Sequence, residues 1–290
     1  MGSEPADHGS GRIAVLGAGT MGHGIAQIAA MAGHDTVLFD PEPEALARGL
    51  ERIQANLDKG VELGKVEADE RDSALGRIRS GRSLDDAVRD AAIVIEAAPE
   101  RLELKRQLLA EVAEHVEATT LLATNTSSLS ISAIAESVPG PERVVGMHFF
   151  NPVHIMSLVE IVRGDRSAHQ AVERARGLAV EMGKTPIVVS DTPGFVSSRL
   201  GVTMGLEAIR MLEEGVAEAE DIDTAMELGY RHPMGPLRLT DLVGLDVRLE
   251  IARYLHHELG GDRFRPPALL EKLVAEGRLG KKSGRGFYEW

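Results

Sequence analysis

The sequence predicts an α/β domain followed by an all-α domain, and three observations carry this. Short apolar runs alternate with helix-compatible runs from Arg12 to about residue 190. The first apolar run enters the first helix through a glycine-rich turn. Beyond Asp191 the apolar residues recur at helical spacing up to a short "GFYEW" tail. Alternating strands and helices give a sheet of mostly parallel strands with helices on both faces. A chain of 290 residues is long enough for two domains. We place them at 12–190 and 191–290, after a leader over 1–11 that is expected to be disordered.

The strands are read from "RIAVLG", "DTVLFD", "AAIVIEAA", "TTLLATNTS" and "RVVGMHFF", extended by "SLVEIV" and "KTPIVVSD". Helices are expected over Thr20 to Met31, Pro43 to about Leu63, Leu102 to Val116 and His169 to Gly183. After "DTPGF", apolar residues at Val196, Leu200, Met204, Ile209 and Leu212 mark a further helix. Later breaks fall at Gly229, "HPMGP" and Gly260–Gly261, before a short aromatic "GFYEW" strand.

Composition removes several classes of function. The chain has no cysteine, so it has no disulfide, thiolate nucleophile or cysteine-bound metal. A formal net charge of -13 repels nucleic-acid phosphates. No uncharged apolar run approaches the roughly 20 residues that span a bilayer, and "MGSEPADHGSG" is no targeting peptide. The expected location is the cytoplasm. The ten histidines show no ligand spacing such as H-E-x-x-H, so no metal is expected.

Gly17, Gly19 and Gly22 have the G-x-G-x-x-G spacing between a strand and a helix. The first glycine allows the tight turn, the second lets backbone approach a pyrophosphate, and the third lets helix and strand pack closely. The helix N-terminus, reached through Thr20 and Met21, offers unpaired N–H groups to phosphate. Asp40 ends the next strand at the distance the fingerprint requires, where it can accept from ribose hydroxyls and repel a 2′-phosphate. The next arginine, Arg48, lies eight residues on. Together these predict a Rossmann-type dinucleotide-binding domain that takes NAD rather than NADP. Asp40 also suits a helix cap before "PEPE".

His148 and Glu160 stand in the apolar stretch "VVGMHFFNPVHIMSLVEIV". Twelve residues cannot place two side chains on neighbouring helical turns. A hairpin-like return through "FFNPVHIM" brings them opposite one another. A carboxylate on one imidazole nitrogen fixes the tautomer and leaves the other to accept a proton, which alcohol oxidation by NAD requires. Spacing alone also allows a structural histidine and a solvated glutamate. His154, in the loop, is read as structural or exposed.

Taken in order, "GAGTMGHGIAQ", "TNTSSLSI", "GMHFFNPVHIMSLVEIV", "DTPGFV", "HPMGPLRLTDLVGLD" and "GKKSGRGFY" span the chain from about residue 12 to its end. This series resembles the L-3-hydroxyacyl-CoA dehydrogenase family, in particular its short-chain 3-hydroxybutyryl-CoA type. The resemblance implies NAD-dependent interconversion of an L-3-hydroxyacyl-CoA and its 3-ketoacyl-CoA. It implies that His148 is the general base and that Glu160 orients it. Ser127 would reach the substrate's 3-oxygen, Asn151 the nicotinamide side, and Glu100 and Lys105 the nicotinamide ribose. It further implies a homodimer formed through the helical domain, and a place in fatty acid oxidation, butyrate metabolism or aromatic-acid breakdown.

The bland alternatives are a helix cap near Ser130 for Ser127, a turn for Asn151–Pro152, and a pair with Glu100 or Glu103 on a solvated helix for Lys105. One position departs from the family pattern. "GFVSSR" has Ser198 where the family has asparagine at the substrate, which removes reach and one donor. Lys59 and Lys65 lie where the family's helical excursion contacts the coenzyme A nucleotide, and both also suit solvated helix charges. A free hydroxy acid, as in the related L-gulonate 3-dehydrogenase group, is the alternative substrate. A dinucleotide-binding protein without turnover is the alternative of another class.

Overall fold

The computed structural model describes residues 11–290, so the expectation of a disordered leader lies almost wholly outside the described residues. Contacts divide the chain into one unit ending at Thr192 and a second over Pro193–Trp290.

The first unit holds an eight-stranded sheet in the order β3-β2-β1-β4-β5-β6-β7-β8. Its strands are β1 (Arg12–Leu16), β2 (Thr36–Phe39), β3 (Ile78–Ser80), β4 (Ala91–Glu96), β5 (Leu121–Thr124), β6 (Val144–Phe149), β7 (Leu158–Arg163) and β8 (Thr185–Ser190). The helices are α1 (Gly22–Met31), α2 (Pro43–Glu62), α3 (Ala68–Gly76), α4 (Leu84–Val88), α5 (Leu102–His115), α6 (Ile131–Ala135) and α7 (His169–Glu181). The central strands are apolar along their whole length because helices cover both faces of a parallel sheet. Ile13, Val15, Ile25, Ile95, Ala123 and Val145 are wholly buried in the resulting core.

All neighbouring strands run parallel except β6 and β7, which are antiparallel. The return expected from the sequence is therefore a register of paired strands, with His148 directly opposite Glu160. Strand order reverses between β2-β1 and β4, which opens a crevice at the carboxyl ends of these strands. The sequence reading missed β3, α3 and α4. β3 is a three-residue edge strand, and α3 is a polar helix held by a capping box between Glu67 and Glu70.

The second unit is helical: α8 (Ser197–Glu213), α9 (Ala219–Tyr230), α10 (Pro236–Val243), α11 (Leu245–Leu259) and α12 (Ala268–Ala275). Leu206 and Ile209 of α8 are wholly buried, with Met211 and Leu212 packed partly against the same core, so this stripe serves the unit's own interior. α9 runs through Gly229 and stops at Tyr230, where Arg231 takes a left-handed backbone. The "GFYEW" tail makes isolated bridges rather than the expected strand. Its backbone is held by Asp241, whose carboxylate accepts from Phe287 N (2.8 Å), Tyr288 N (3.0 Å) and Trp290 Nε1 (2.8 Å). Among the described residues no helix is long and apolar enough to cross a membrane.

Candidate active site

The turn between β1 and α1 is built as tightly as the glycine spacing demands. Gly17 has φ +101°, and a Cβ there would stand 2.6 Å from Ala97 O. A Cβ on Gly22 would stand 1.7 Å from Gly17 O, so only glycine lets α1 start against this turn. Gly19 faces open space, with nothing within 4 Å of its Cβ position.

A cavity of about 710 Å³ opens beside this turn, and Gly17, Gly19, Thr20, Met21 and Asp40 line it. Its opposite wall is apolar, with Leu104 and Leu108 one turn apart on α5. The sequence reading gave Leu104 and Leu108 no role. A cavity of this size with a glycine turn, a helix N-terminus and one carboxylate fits a dinucleotide.

Asp40 carries two roles. Its Oδ2 accepts from Ala18 N at 2.8 Å and its Oδ1 from Glu42 N at 3.0 Å. Each oxygen keeps further acceptor capacity toward the cavity. Replacing Asp40 by alanine should weaken NAD+ binding about ten- to a hundredfold, the effect of losing a hydrogen bond to a charged group. Titration with NAD+ measures this, and unchanged affinity would leave Asp40 as a cap only.

His148 Nδ1 lies 2.7 Å from Glu160 Oε2. Glu160 is wholly buried and His148 is 7% exposed. An ionised carboxylate can only accept, so Nδ1 carries the hydrogen and Nε2 is the nitrogen that can take up a proton. Phe150 packs on the imidazole, with ring centroids 4.5 Å apart. Asn125, at the end of β5, accepts from Phe149 N at 2.9 Å and fixes the backbone next to His148. The sequence reading gave Asn125 no role.

Glu100 and Ser127 are brought together. Glu100 Oε1 accepts from Thr126 Oγ1 (2.6 Å), Ser127 N (2.8 Å), Ser127 Oγ (3.2 Å) and Ser128 N (3.2 Å). Burial pushes this carboxyl up, but Lys105 and the Thr126 and Ser127 hydrogen bonds outweigh it and hold the group below its ordinary value. The helix cap suggested for Ser127 belongs to Ser130, whose Oγ accepts from Ala133 N.

Lys105 does not lie on a solvated helix face. It is 1% exposed and its ammonium is 2.8 Å from Glu96, a partner the sequence reading missed. Asn151 is exposed and joined to Pro152 by a cis peptide bond in a turn closed by Ile155 N and Met156 N on Pro152 O. Gly22, Glu100, Lys105 and Asn151 do not line the 710 Å³ cavity.

Lys59 is exposed and paired with Glu62 at 2.8 Å. It lines a separate groove of 670 Å³ together with Lys65, Asn56, His154 and Lys184. His154, read as structural or exposed, is exposed, and burial first, then His23 and Lys184, lower its pKa. Ser198 lies in the first turn of α8, in the second unit, and is half-buried. Among the described residues no group of three or more histidines or carboxylates is arranged to hold a metal ion.

Residues 12–192 match the family model described as 3-hydroxyacyl-CoA dehydrogenase, NAD binding domain, and residues 194–290 match that of its C-terminal domain. The 3-hydroxybutyryl-CoA dehydrogenase of Bradyrhizobium diazoefficiens is 42% identical over 96% of this chain and 95% of its own length. The 3-hydroxyadipyl-CoA dehydrogenase of Escherichia coli is 46% identical over 96% of this chain, which spans 58% of that longer protein. The crystal structure of (S)-3-hydroxybutyryl-CoA dehydrogenase from Ralstonia eutropha superposes with a TM-score of 0.93 at 40% identity, covering 96% of this chain and 98% of that one.

Proposed function

The chain belongs to the 3-hydroxyacyl-CoA dehydrogenase family, and from that membership and the geometry of its first unit we propose how it works. It is an NAD-dependent enzyme that oxidises an L-3-hydroxyacyl-CoA to the 3-ketoacyl-CoA and catalyses the reverse. The preferred acyl group is short, 3-hydroxybutyryl, as in the names of its relatives. The observation that carries the reading is the buried His148–Glu160 pair in the unit that also holds the glycine turn.

Bound NAD+ supplies the acceptor for the hydride. His148 Nε2 takes the hydroxyl proton as the substrate carbon is oxidised and returns it in reduction. Glu160 keeps the imidazole in one tautomer and balances the charge it gains. Ser127 binds the substrate's 3-oxygen. Gly17, Gly19, Thr20, Met21, Gly22 and Asp40 hold the pyrophosphate and adenosine ribose. Glu100, Lys105 and Asn151 serve the nicotinamide side, and Ser198 touches the acyl group. Lys59 contributes a cation to the coenzyme A phosphates, which the neighbouring lysines of its groove support.

Residues 12–190 are the NAD-binding domain and 191–290 the substrate and dimerisation domain. The enzyme acts in the cytoplasm as a homodimer joined through its helical domain. Exposed Leu200 and Met204 on α8, Leu242 and Val243 on α10 and Val247 on α11 support that assembly. Its setting is short-chain acyl-CoA oxidation, butyrate metabolism or aromatic-acid breakdown.

A thioester preference tests the substrate class. NADH should reduce acetoacetyl-CoA with a kcat/KM at least about a hundredfold above that for free acetoacetate, since remote binding energy lowers the barrier. Equal rates would transfer the reading to free hydroxy acids.

A further inference from the structure

Arg248, in the first turn of α11, is a buried cation without a protein partner. It is 5% exposed and its Nε is buried with no hydrogen bond. Among the described residues no carboxylate forms an ion pair with it, and burial alone lowers its pKa, to about 10. The group therefore stays charged at neutral pH. Other buried cations of the chain are satisfied. Arg143 donates to Glu117 O (2.6 Å) and Pro139 O (3.2 Å), and Lys105 to Glu96 Oε1 (2.8 Å). Asp246, two residues before Arg248, is taken by Lys282 at 2.6 Å. A buried charge with no partner is costly, so an arginine kept in this state calls for an anion from outside the fold.

The guanidinium lies on a strip of small residues along α8, in the same unit. A Cβ on Gly205 would stand 3.1 Å from Thr240 Oγ1 and 3.4 Å from Arg248 Nε, so glycine makes room for the arginine. A Cβ on Gly201 would stand 3.8 Å from Arg248 Nη1, which is its one neighbour from outside the helix within 4 Å among the described residues. Ser198, Gly201 and Gly205 follow i, i+3, i+7 and share one face of α8. Glycine is unfavourable inside a helix, and here two of them leave open space beside a charge. Ser198 and Gly201 are both half-buried. The face thus runs from Ser198, one turn along, to a guanidinium aimed at the space over Gly201.

We propose that Arg248 is a specificity residue whose guanidinium receives a carboxylate at the far end of the acyl group. Besides the 3-hydroxybutyryl group, the enzyme then takes 3-hydroxyacyl-CoA substrates whose acyl chain ends in a carboxylate a few carbons beyond the hydroxyl. The inference rests on the contact proposed between Ser198 and the acyl group. A planar guanidinium matches a carboxylate through two parallel N–H···O bonds, and the missing side chain at Gly201 leaves room for the intervening methylenes.

Two thioesters of equal length test it: L-3-hydroxyadipyl-CoA and L-3-hydroxyhexanoyl-CoA, which differ only in the terminal carboxylate. With the full-length wild-type enzyme, kcat/KM for the adipyl substrate should exceed that for the hexanoyl one at least about tenfold. In Arg248→Met this ratio should fall about thirtyfold, the effect of losing a hydrogen-bonded charge pair. Arg248→Lys keeps the charge without the fork, and its ratio should fall about fivefold. The melting temperature of Arg248→Met should equal or exceed that of wild type, because an apolar side chain replaces an unpaired buried charge. A wild-type ratio near one, or an unchanged ratio in Arg248→Met, would overturn the assignment. An unchanged ratio with a lower melting temperature, or with loss of a dimer, would give the guanidinium to the fold or to a second copy instead. If Arg248→Met does not fold, the ratio in Arg248→Lys decides. Turnover of L-3-hydroxybutyryl-CoA without turnover of the adipyl substrate would refute this inference alone. A wild-type enzyme inert toward all three thioesters would refute the acyl-CoA reading and this inference with it.

Discussion

Replacing His148 by alanine should lower kcat by about two to four orders of magnitude, the range for removal of a general base. Affinity for NAD+ should stay within about threefold, because in the proposed mechanism the imidazole meets the reacting hydroxyl and not the dinucleotide. The loss is large because Glu160, wholly buried opposite His148, then has no cation to balance and no imidazole to orient. Stopped-flow oxidation of NADH separates the chemical step from cofactor binding. A His148→Ala enzyme with near-wild-type turnover would remove His148 from the mechanism and leave its pair with Glu160 as a fold contact.

Gly22→Ala should abolish measurable NAD+ binding, a weakening of at least about a hundredfold. Two effects compete at this position. Alanine favours a helix over glycine by about 1 kcal/mol. Against this, its Cβ would stand 1.7 Å from Gly17 O, a backbone atom that cannot move without opening the turn. The overlap wins, and α1 must shift away from the phosphate turn. Gly19→Ala provides the contrast. No protein atom lies within 4 Å of its Cβ position, so thermal stability should be unchanged while NAD+ binding weakens. Equal melting temperatures for Gly22→Ala and wild type, with equal affinities, would refute this account of the turn.

The first β-α-β segment was legible because its signals are local: an apolar strand, a glycine turn, a helix and an acid at the end of the next strand. The His148–Glu160 pair was legible as a hairpin-like return, and the register of β6 and β7 places the two residues opposite each other. β3, α3 and α4 escaped notice because they are short and polar, and tertiary contacts rather than periodicity define them.

Lys105 was misread in its surroundings for a different reason. Lys105, Leu109 and Val112 are the buried residues of α5 and follow an i, i+4, i+7 pattern, so the lysine occupies the core stripe of the helix. That pattern was present in the sequence. Its meaning depended on Glu96, nine residues earlier at the end of an apolar strand, and such pairings become visible only when the chain is folded. Asn125 and Asp241 are similar cases, since both are polar residues whose partners are backbone amides distant in sequence.

The most direct measurement is the absorbance of reduced nicotinamide after wild-type protein is mixed with NADH and acetoacetyl-CoA. Rapid loss of NADH, and its reappearance when L-3-hydroxybutyryl-CoA and NAD+ are supplied instead, is the predicted result. No reaction with either thioester, alongside NADH formation from NAD+ and L-gulonate, would contradict the acyl-CoA assignment. Cofactor binding with no turnover of any of these would contradict catalysis by His148 and Glu160 altogether.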